Sequence, residues 1–451
     1  MTIMKKLSKI VLSLLLILLL IPGQSIKADE PVENGVTGIS LDANGVLTWN
    51  DYPNAQLYFV DLFNSATGDM PYFVTTDPKV DLQNGLDNYI DDYGNRQQFP
   101  AGYYMIQISA VRASDVQDNP DFTSYTTLAY TIYDQQFVYG DPQSSAYKRI
   151  YGNNRYTTSR AIADEVLDAF RNYASDTVVI TTGANYPDAL SGSFLALNYH
   201  APVLMISAGS SADVVAYVKQ NIRSGGTVYV LGGTKAVPDE WLGDLSNTYN
   251  VKRLSGKTRY DTNVEILKEG SSFLGYYPLF LVCTGKKYAD SLSCSSMPIP
   301  ILLVGDSLTD SQREFLSTFD KNTVSFVVIG GTGAVSTAVE EDLNNYGTVN
   351  ERISGKDRYE TSALIAQEAF TYVGGATLAT GKQFPDGLSG GPLAYAAHGP
   401  LLLVDEGHTS YAEAYVASHP GLIDKYVLGG TGAVSEEVAE RVFGQSAASL
   451  Q

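Results

Sequence analysis

A chain of 451 residues is long enough to bury a sizeable core without cross-links, and its two cysteines, Cys283 and Cys294, exclude a disulfide-stapled scaffold. Its formal net charge of −19 makes nonspecific nucleic-acid binding a poor reading, since that depends on phosphate neutralisation by Lys and Arg. Any polyanionic ligand must be held by a local concentration of cation.

In chain order, Lys5, Lys6 and Lys9 precede an apolar run from Ile10 to Ile21, and Pro22, Gly23 and the small residue Ala28 follow. This order of charged, apolar and small residues predicts a secretory signal over residues 1–28, with a mature chain starting near Asp29. The apolar run would extend about 18 Å as a helix, short of the roughly 30 Å hydrocarbon core, and no second long run exists. The mature protein is therefore expected outside the cell with no membrane span.

Residues 29–140 read as a separate domain. The stretch 29–148 carries 17 acids against 4 bases, and alternating segments such as VLTW, QLYFVDLF and GYYMIQISAVR lie between turn-rich DANG, NSATGD and DNPD. Period-2 alternation rich in Tyr, Val, Ile and Phe, without a helical stripe, predicts an all-β sandwich. With Trp49 as an early-strand core residue and Tyr104, Ile106 and Ile108 on a central strand, the stretch resembles a fibronectin type III-like domain. Residues 134–148, polar and Gly/Pro-containing, read as a linker.

Beyond it one block occurs three times: RIYGNNRYTTS from Arg149, RLSGKTRYDTN from Arg253 and RISGKDRYETS from Arg352. GANYPDALSG at Gly183, GKKYADSLSC at Gly285 and GKQFPDGLSG at Gly381 keep step, as do LGGTKAV, IGGTGAV and LGGTGAV at Leu231, Ile329 and Leu428. Co-linear recurrence gives repeats over 149–250, 253–349 and 352–444. In the first, Ile162, Val166, Ala169 and Phe170 mark one face of a helix over 161–170, with cap candidates at 157–159. A short apolar strand, TVVITTG, leads to a small-residue helix through Ala196, a second strand, PVLMIS, and a polar-capped helix over 213–221. A third strand, TVYVLGG, and a helix after Pro238 complete the unit. Continuous apolar strands alternating with helices predict a parallel sheet covered on both faces. Cys294 stands where the other copies have Gly192 and Gly390, so both cysteines read as small buried residues.

On these three blocks, over residues 148–444, the chain resembles the clostridial-type cell wall-binding repeat 2 family of exported Gram-positive proteins. The resemblance implies an α/β Toprim-like fold for each repeat and a pseudo-threefold arrangement of the three. It also implies noncovalent attachment to an anionic cell wall polysaccharide, with a variable domain displayed at the cell surface.

Six of the eleven arginines beyond residue 148 lie in the first block: Arg149, Arg155, Arg253, Arg259, Arg352 and Arg358. A guanidinium presents a planar fork suited to phosphate or carboxylate, and Tyr156, Tyr260 and Tyr359 add an aromatic face and a hydroxyl of the kind carbohydrate sites use. Against polymer contact stands a structural tie of the second arginine to Asp188, Asp290 or Asp386 of its own repeat. The aspartates also suit helix N-caps. Gly232, Gly330 and Gly429 follow a strand where backbone N–H groups could face an anion, but without Walker or dinucleotide spacing they read as close packing.

For catalysis the sequence offers little. His200 and His398 occupy equivalent helix-end positions, His408 and His419 form no zinc motif, neither H-E-x-x-H nor D-x-D occurs, and GANYPDALSG contains no G-x-S-x-G. The expectation is a binding protein with no metal or cofactor, with a peptidoglycan hydrolase of the amidase type, or an amidase modifier, as alternative. A surface-layer component or an adhesin whose β-domain meets a surface or host protein is the further alternative.

Overall fold

A computed structural model describes residues 35–64, 70–91, 95–99, 102–113, 125–133, 137–139, 146–171, 176–186, 190–370, 373–419 and 421–444. The expected secretory signal and Asp188 lie outside these. The chain divides between Ser144 and Ser145 into two compact units. Among the described residues no helix is long and apolar enough to cross a membrane.

The first unit contains β1 (Ser40–Leu41), β2 (Val46–Thr48), β3 (Leu57–Phe63), β4 (Tyr72–Thr75), β5 (Lys79–Asp81), helix α1 (Leu82–Asp87), β6 (Gly102–Ala113), β7 (Tyr125–Ile132) and β8 (Phe137–Tyr139). Its sheets run β1-β2-β5 and β4-β3-β6-β7, with β8 on the start of β6. Along β3, Tyr58, Val60 and Leu62 are buried and the residues between them only partly so, as the alternation predicts. They share one core with Leu47, Trp49, Tyr104, Ile106 and Ile108. Two expectations change. A six-residue helix, capped by Asp81, joins the strands and buries Leu82 and Leu86. Phe137–Tyr139, read as linker, is a strand because Phe137 inserts into the core.

The second unit starts with β9 (Lys148–Ile150), α2 (Arg155–Ala169), β10 (Thr177–Thr182), α3 (Gly192–Asn198), β11 (Val203–Ile206), α4 (Ser211–Asn221) and β12 (Thr227–Leu231). The middle copy supplies β13 (Asn250–Leu254), α5 (Arg259–Glu269), β14 (Leu279–Thr284), α6 (Ala289–Ser293), β15 (Ile301–Val304), α7 (Asp310–Leu316), β16 (Ser325–Ile329) and α8 (Thr337–Leu343). The last supplies β17 (Thr348–Ile353), α9 (Arg358–Ala369), β18 (Gly375–Thr380), α10 (Pro385–Ala396), β19 (Leu401–Val404), α11 (Ser410–Ala417), β20 (Asp424–Leu428) and α12 (Glu436–Phe443). After Pro238 there are only 3-10 turns, because Gly243 at φ +56° interrupts the run that forms α8 and α12 in the other copies.

Each copy builds a parallel four-stranded sheet, and the fourth strand is borrowed. The orders are β11-β10-β12-β13, β15-β14-β16-β17 and β19-β18-β20-β9. Thus β13 and β17, which open the second and third copies, complete the sheets of the copies before them. β9, which opens the first copy, returns to pair with β20 through Tyr426↔Lys148 and Leu428↔Ile150. Three consecutive units are closed into one cycle by strand exchange. The strands β10, β14 and β18 are buried along their whole length, as a sheet covered on both faces requires.

Small residues bring the copies together. α10 packs against α2, and α9 against α6. A Cβ on Gly391 would stand 2.4 Å from the Ser295 carbonyl oxygen of the neighbouring copy. Both cysteines are buried and unpaired. Where Gly192 and Gly390 would drive a Cβ into Leu231 and Leu428, the middle copy ends its strand with Ile329 and carries Cys294.

Gly391→Ala should lower stability by about 1–2 kcal/mol despite the better helix propensity of alanine, because overpacking against backbone outweighs it. Gly209→Ala, with nothing within 4 Å, is the neutral control. Urea denaturation of both variants checks this, and equal midpoints would contradict the close approach.

Candidate anion site at the repeat junctions

The R-Y pair of each first block opens a helix, so α2 begins at Arg155 and not at Ala161. The reason is capping. Asn154, Thr258 and Asp357 accept backbone N–H bonds from the first turn, and Thr157 answers Asn154 reciprocally, leaving 157–159 inside the helix. Arg155, Arg259 and Arg358 are therefore each the first helical residue. A helix N-terminus carries partial positive charge and disfavours a cation by about 0.3–1 kcal/mol, so placing one there three times concentrates positive potential.

The six arginines fall into two sets. Arg149, Arg253 and Arg352 sit on the borrowed strands and fasten them to the GGT turns they meet. Arg149 donates to the Gly429 and Val434 carbonyls and pairs with Glu436 at 3.0 Å. Arg253 donates to Gly232 and pairs with Asp239 at 2.6 Å. Arg352 donates to Gly330 and Val335 and pairs with Glu340 at 2.8 Å. Their side chains are only 10–20% exposed. Gly232, Gly330 and Gly429 hold φ of 98°, 92° and 88°, a left-handed turn that glycine adopts freely and that aims each carbonyl at its arginine.

Arg155, Arg259 and Arg358 form the other set. Each donates from Nη1 to the carbonyl of its own loop glycine: Gly183 at 2.6 Å, Gly285 at 2.6 Å and Gly381 at 2.5 Å. All three are half-buried. A guanidinium has five N–H donors, so this leaves capacity for an anion. At Asp290 and Asp386 the in-repeat arginine expected as partner is not the opposing charge in place. Arg358 is the main opposing charge at Asp290, in the copy before it, and Arg155 acts on Asp386 of the third copy. The arginine reaches across the junction because its helix packs on the neighbouring copy.

The aspartates also depart from expectation. Asp290 and Asp386 lie in the first turns of α6 and α10, whose caps are Tyr288 and Phe384. Their carboxylates face the GGT turns, and a Cβ on Gly330 or Gly429 would stand 2.6 or 2.4 Å from an Oδ2. Burial pushes both carboxyls above their ordinary value, with the arginine of the adjoining copy acting against the rise.

Tyr156, Tyr260 and Tyr359 turn inward. Each ring lies against its loop glycine, where a Cβ on Gly183, Gly285 or Gly381 would come within 2.3–2.6 Å of a ring carbon. The Tyr359 hydroxyl bonds Asp405 and its ring stacks on His408 at 4.4 Å. Burial would raise Asp405, but that hydroxyl, His408 and the Gly407 N–H together hold its carboxyl at about 2. These tyrosines pack on the loop glycines whose carbonyls the arginines bond. His200 and His398 both adopt φ of 50° just past helix ends.

All the repeated loops gather at the C-terminal edge of the parallel sheets, following β10, β12 and β13 and their counterparts. In this strand order the chain leaves β10 to one side, to β11, and returns on the other, to β12, and likewise from β14 and β18. The crevice between β10 and β12, and between their counterparts, is where open α/β sheets bind ligands. These features define a repeat-built α/β binding module with its cations at the junctions. In particular, the chain belongs to the cell wall binding domain 2 (CWB2) family, whose model matches residues 149–242, 253–340 and 352–439.

Among relatives, N-acetylmuramoyl-L-alanine amidase LytC of Bacillus subtilis (strain 168) is 28% identical over 303 residues, covering 65% of this chain and 58% of that protein. The amidase enhancer of the same organism is 25% identical over 299 residues, covering 64% and 39%. The chain thus spans less than two thirds of either. Cwp6 and Cwp8 from Clostridium difficile share the fold with a TM-score of 0.56 and 19% identity each. The match covers 89% and 86% of this chain, and 65% and 64% of theirs.

Arg352→Gln should cost about 2–3 kcal/mol in urea denaturation, since it strands two carbonyls and Glu340, whereas Arg259→Gln, which frees the Gly285 carbonyl, should cost about 1 kcal/mol or less. Equal losses would remove the distinction between the two sets. A second test uses pH. Raised carboxyl values disfavour ionisation in the folded state, a penalty present in full above the raised value and absent once pH falls below 3.8. Asp290→Asn and Asp386→Asn should therefore raise the urea midpoint at pH 7, with the gain gone by pH 3. A lower midpoint at pH 7 would mark the carboxylates as ties that stabilise the fold.

Proposed function

We propose that the chain is an exported surface protein retained noncovalently on the Gram-positive cell wall, its three repeats gripping an anionic wall polysaccharide and displaying the N-terminal β-unit. The observation that carries this is the set of Arg155, Arg259 and Arg358, each at a helix N-terminus, half-buried and with donors left over, in a protein whose net charge is −19. Cations placed against the helix dipole are locally unfavourable, and an anionic ligand relieves that cost. Tyr156, Tyr260 and Tyr359 hold the loops, and Asp290 and Asp386, with Asp188 by repetition, offer acceptors for hydroxyls beside the anion.

Division into repeats at 149–250, 253–349 and 352–444, each Toprim-like and related by a pseudo-threefold axis, is supported by the cyclic strand exchange. A fibronectin type III-like reading of 29–140 is supported by sheets of three and four strands with Trp49 beside the second strand, leaving β8 aside. That unit is the natural place for a surface or host protein to bind. The relatives LytC and the amidase enhancer favour a second reading, a peptidoglycan amidase or its modifier, but the matched family is one of binding domains.

Sedimentation with purified Gram-positive walls tests the proposal. The full chain should co-sediment, release intact under chaotrope, and bind less as salt rises, because exposed charge pairs are screened over about 8–10 Å. A folded Arg155→Gln, Arg259→Gln, Arg358→Gln triple variant should lose most of its binding. Retention that only wall-degrading enzymes can reverse, or undiminished binding by the triple variant, would refute it.

A further inference from the structure

Strand β3 does not alternate between apolar and solvated polar residues. Tyr58, Val60 and Leu62 enter the core of the first unit, so Phe59, Asp61 and Phe63 stand on the other face of the sheet β4-β3-β6-β7. Asp61 lies at the centre of that face. Tyr72 of β4 and Gln107 of β6 are opposite it, and Phe59 and Phe63 flank it along its own strand. The rings of Phe59 and Tyr72 are 6.3 Å apart. In the row that crosses the sheet through Phe59, Val74 and Tyr130 remain 43% and 37% exposed. The solvated face of an antiparallel sheet is ordinarily polar, and an apolar one marks an interaction surface.

Asp61 has no counter-charge. Among the described residues neither a hydrogen bond nor an ion pair reaches its carboxylate, and burial alone pushes it up to about 6. Residues 29–148 hold 17 acids against 4 bases, so the charge that would neutralise it is scarce within the unit. A second copy would bring the same carboxylate and the same excess of acid, which disfavours self-association through this face.

We infer that this face docks a protein partner that inserts an arginine, its guanidinium forked on Asp61 and lying against the rings of Phe59 and Tyr72. Arginine suits the place better than lysine, because its planar, weakly hydrated head stacks on aromatic rings while it binds a carboxylate through two donors. The inference deepens the reading of the β-unit as the displayed, partner-binding part of the chain and rests on it.

Selection of a random peptide library on the immobilised full chain tests it. Enriched peptides should include a class with an arginine between apolar residues, and a synthetic peptide of that class should bind one per chain. Asp61→Asn should weaken that binding about tenfold or more, and so should citrulline in place of the peptide arginine, which keeps the shape and removes the charge. Phe59→Ser should weaken it as well. Because burial disfavours the ionised carboxyl in the folded state, Asp61→Asn should melt at the same temperature or higher at pH 7. A lower melting temperature would make Asp61 a structural tie and overturn the proposal. Absence of the arginine class, equal affinity for the citrulline peptide, or dimers of the full chain that Phe59→Ser dissociates would overturn it too. Peptides that bind the unit but tolerate Asp61→Asn would remove this face and leave the unit its binding role, and co-sedimentation with walls reports the wall reading separately.

Discussion

The parallel pairing of β12, β16 and β20, each the last strand of its copy, with the strand that opens the following copy is the contact on which the rest depends. Without β13, β17 and β9, each copy would keep three strands, with β12, β16 and β20 as open edges. An unpaired edge is an aggregation hazard, and here it is removed by making the neighbour finish the sheet. The same exchange carries each first block across a junction. Its strand belongs to one sheet and its helix packs with the next, so its two arginines fall on opposite sides of the handover.

That division explains why a single motif has two chemistries. The arginine on the strand is held by carbonyls and an acid and is spent on the fold. The one that opens the helix bonds its own loop, and Arg155 and Arg358 also act on a neighbour's carboxylate. Raised carboxyls at Asp290 and Asp386 and cations against the helix dipole both run against local stability. These concessions cluster at the junctions, where the proposed site lies.

Most of the architecture was legible in the residues. The period of the apolar positions gave strands buried on both faces, and block order gave three like units; the burial of Cys294 followed from the glycines at its position in the other copies. What sequence could not give was partnership between copies. Repetition made Asp290 and Arg259 look like partners because they share a copy, but the helix of Arg358 packs across the junction and faces that aspartate first. The helix start at Arg155 was missed because apolar periodicity begins later than the capping residue Asn154, although an Asn followed three residues on by Thr157 was a readable signal.

Closure through β9 and β20 also sets how the molecule bears mechanical load. The polypeptide enters the cycle beside the strand by which it leaves, so tension applied to the preceding β-unit arrives at Lys148–Ile150, a three-residue strand in a parallel ladder. Pulled along its axis, such a ladder resists in shear with its hydrogen bonds loaded together. Arg149 adds a clasp from that strand to Gly429, Val434 and Glu436 at the point where the force enters. Under the proposed wall attachment, the seam that completes the fold is also the first to feel the pull.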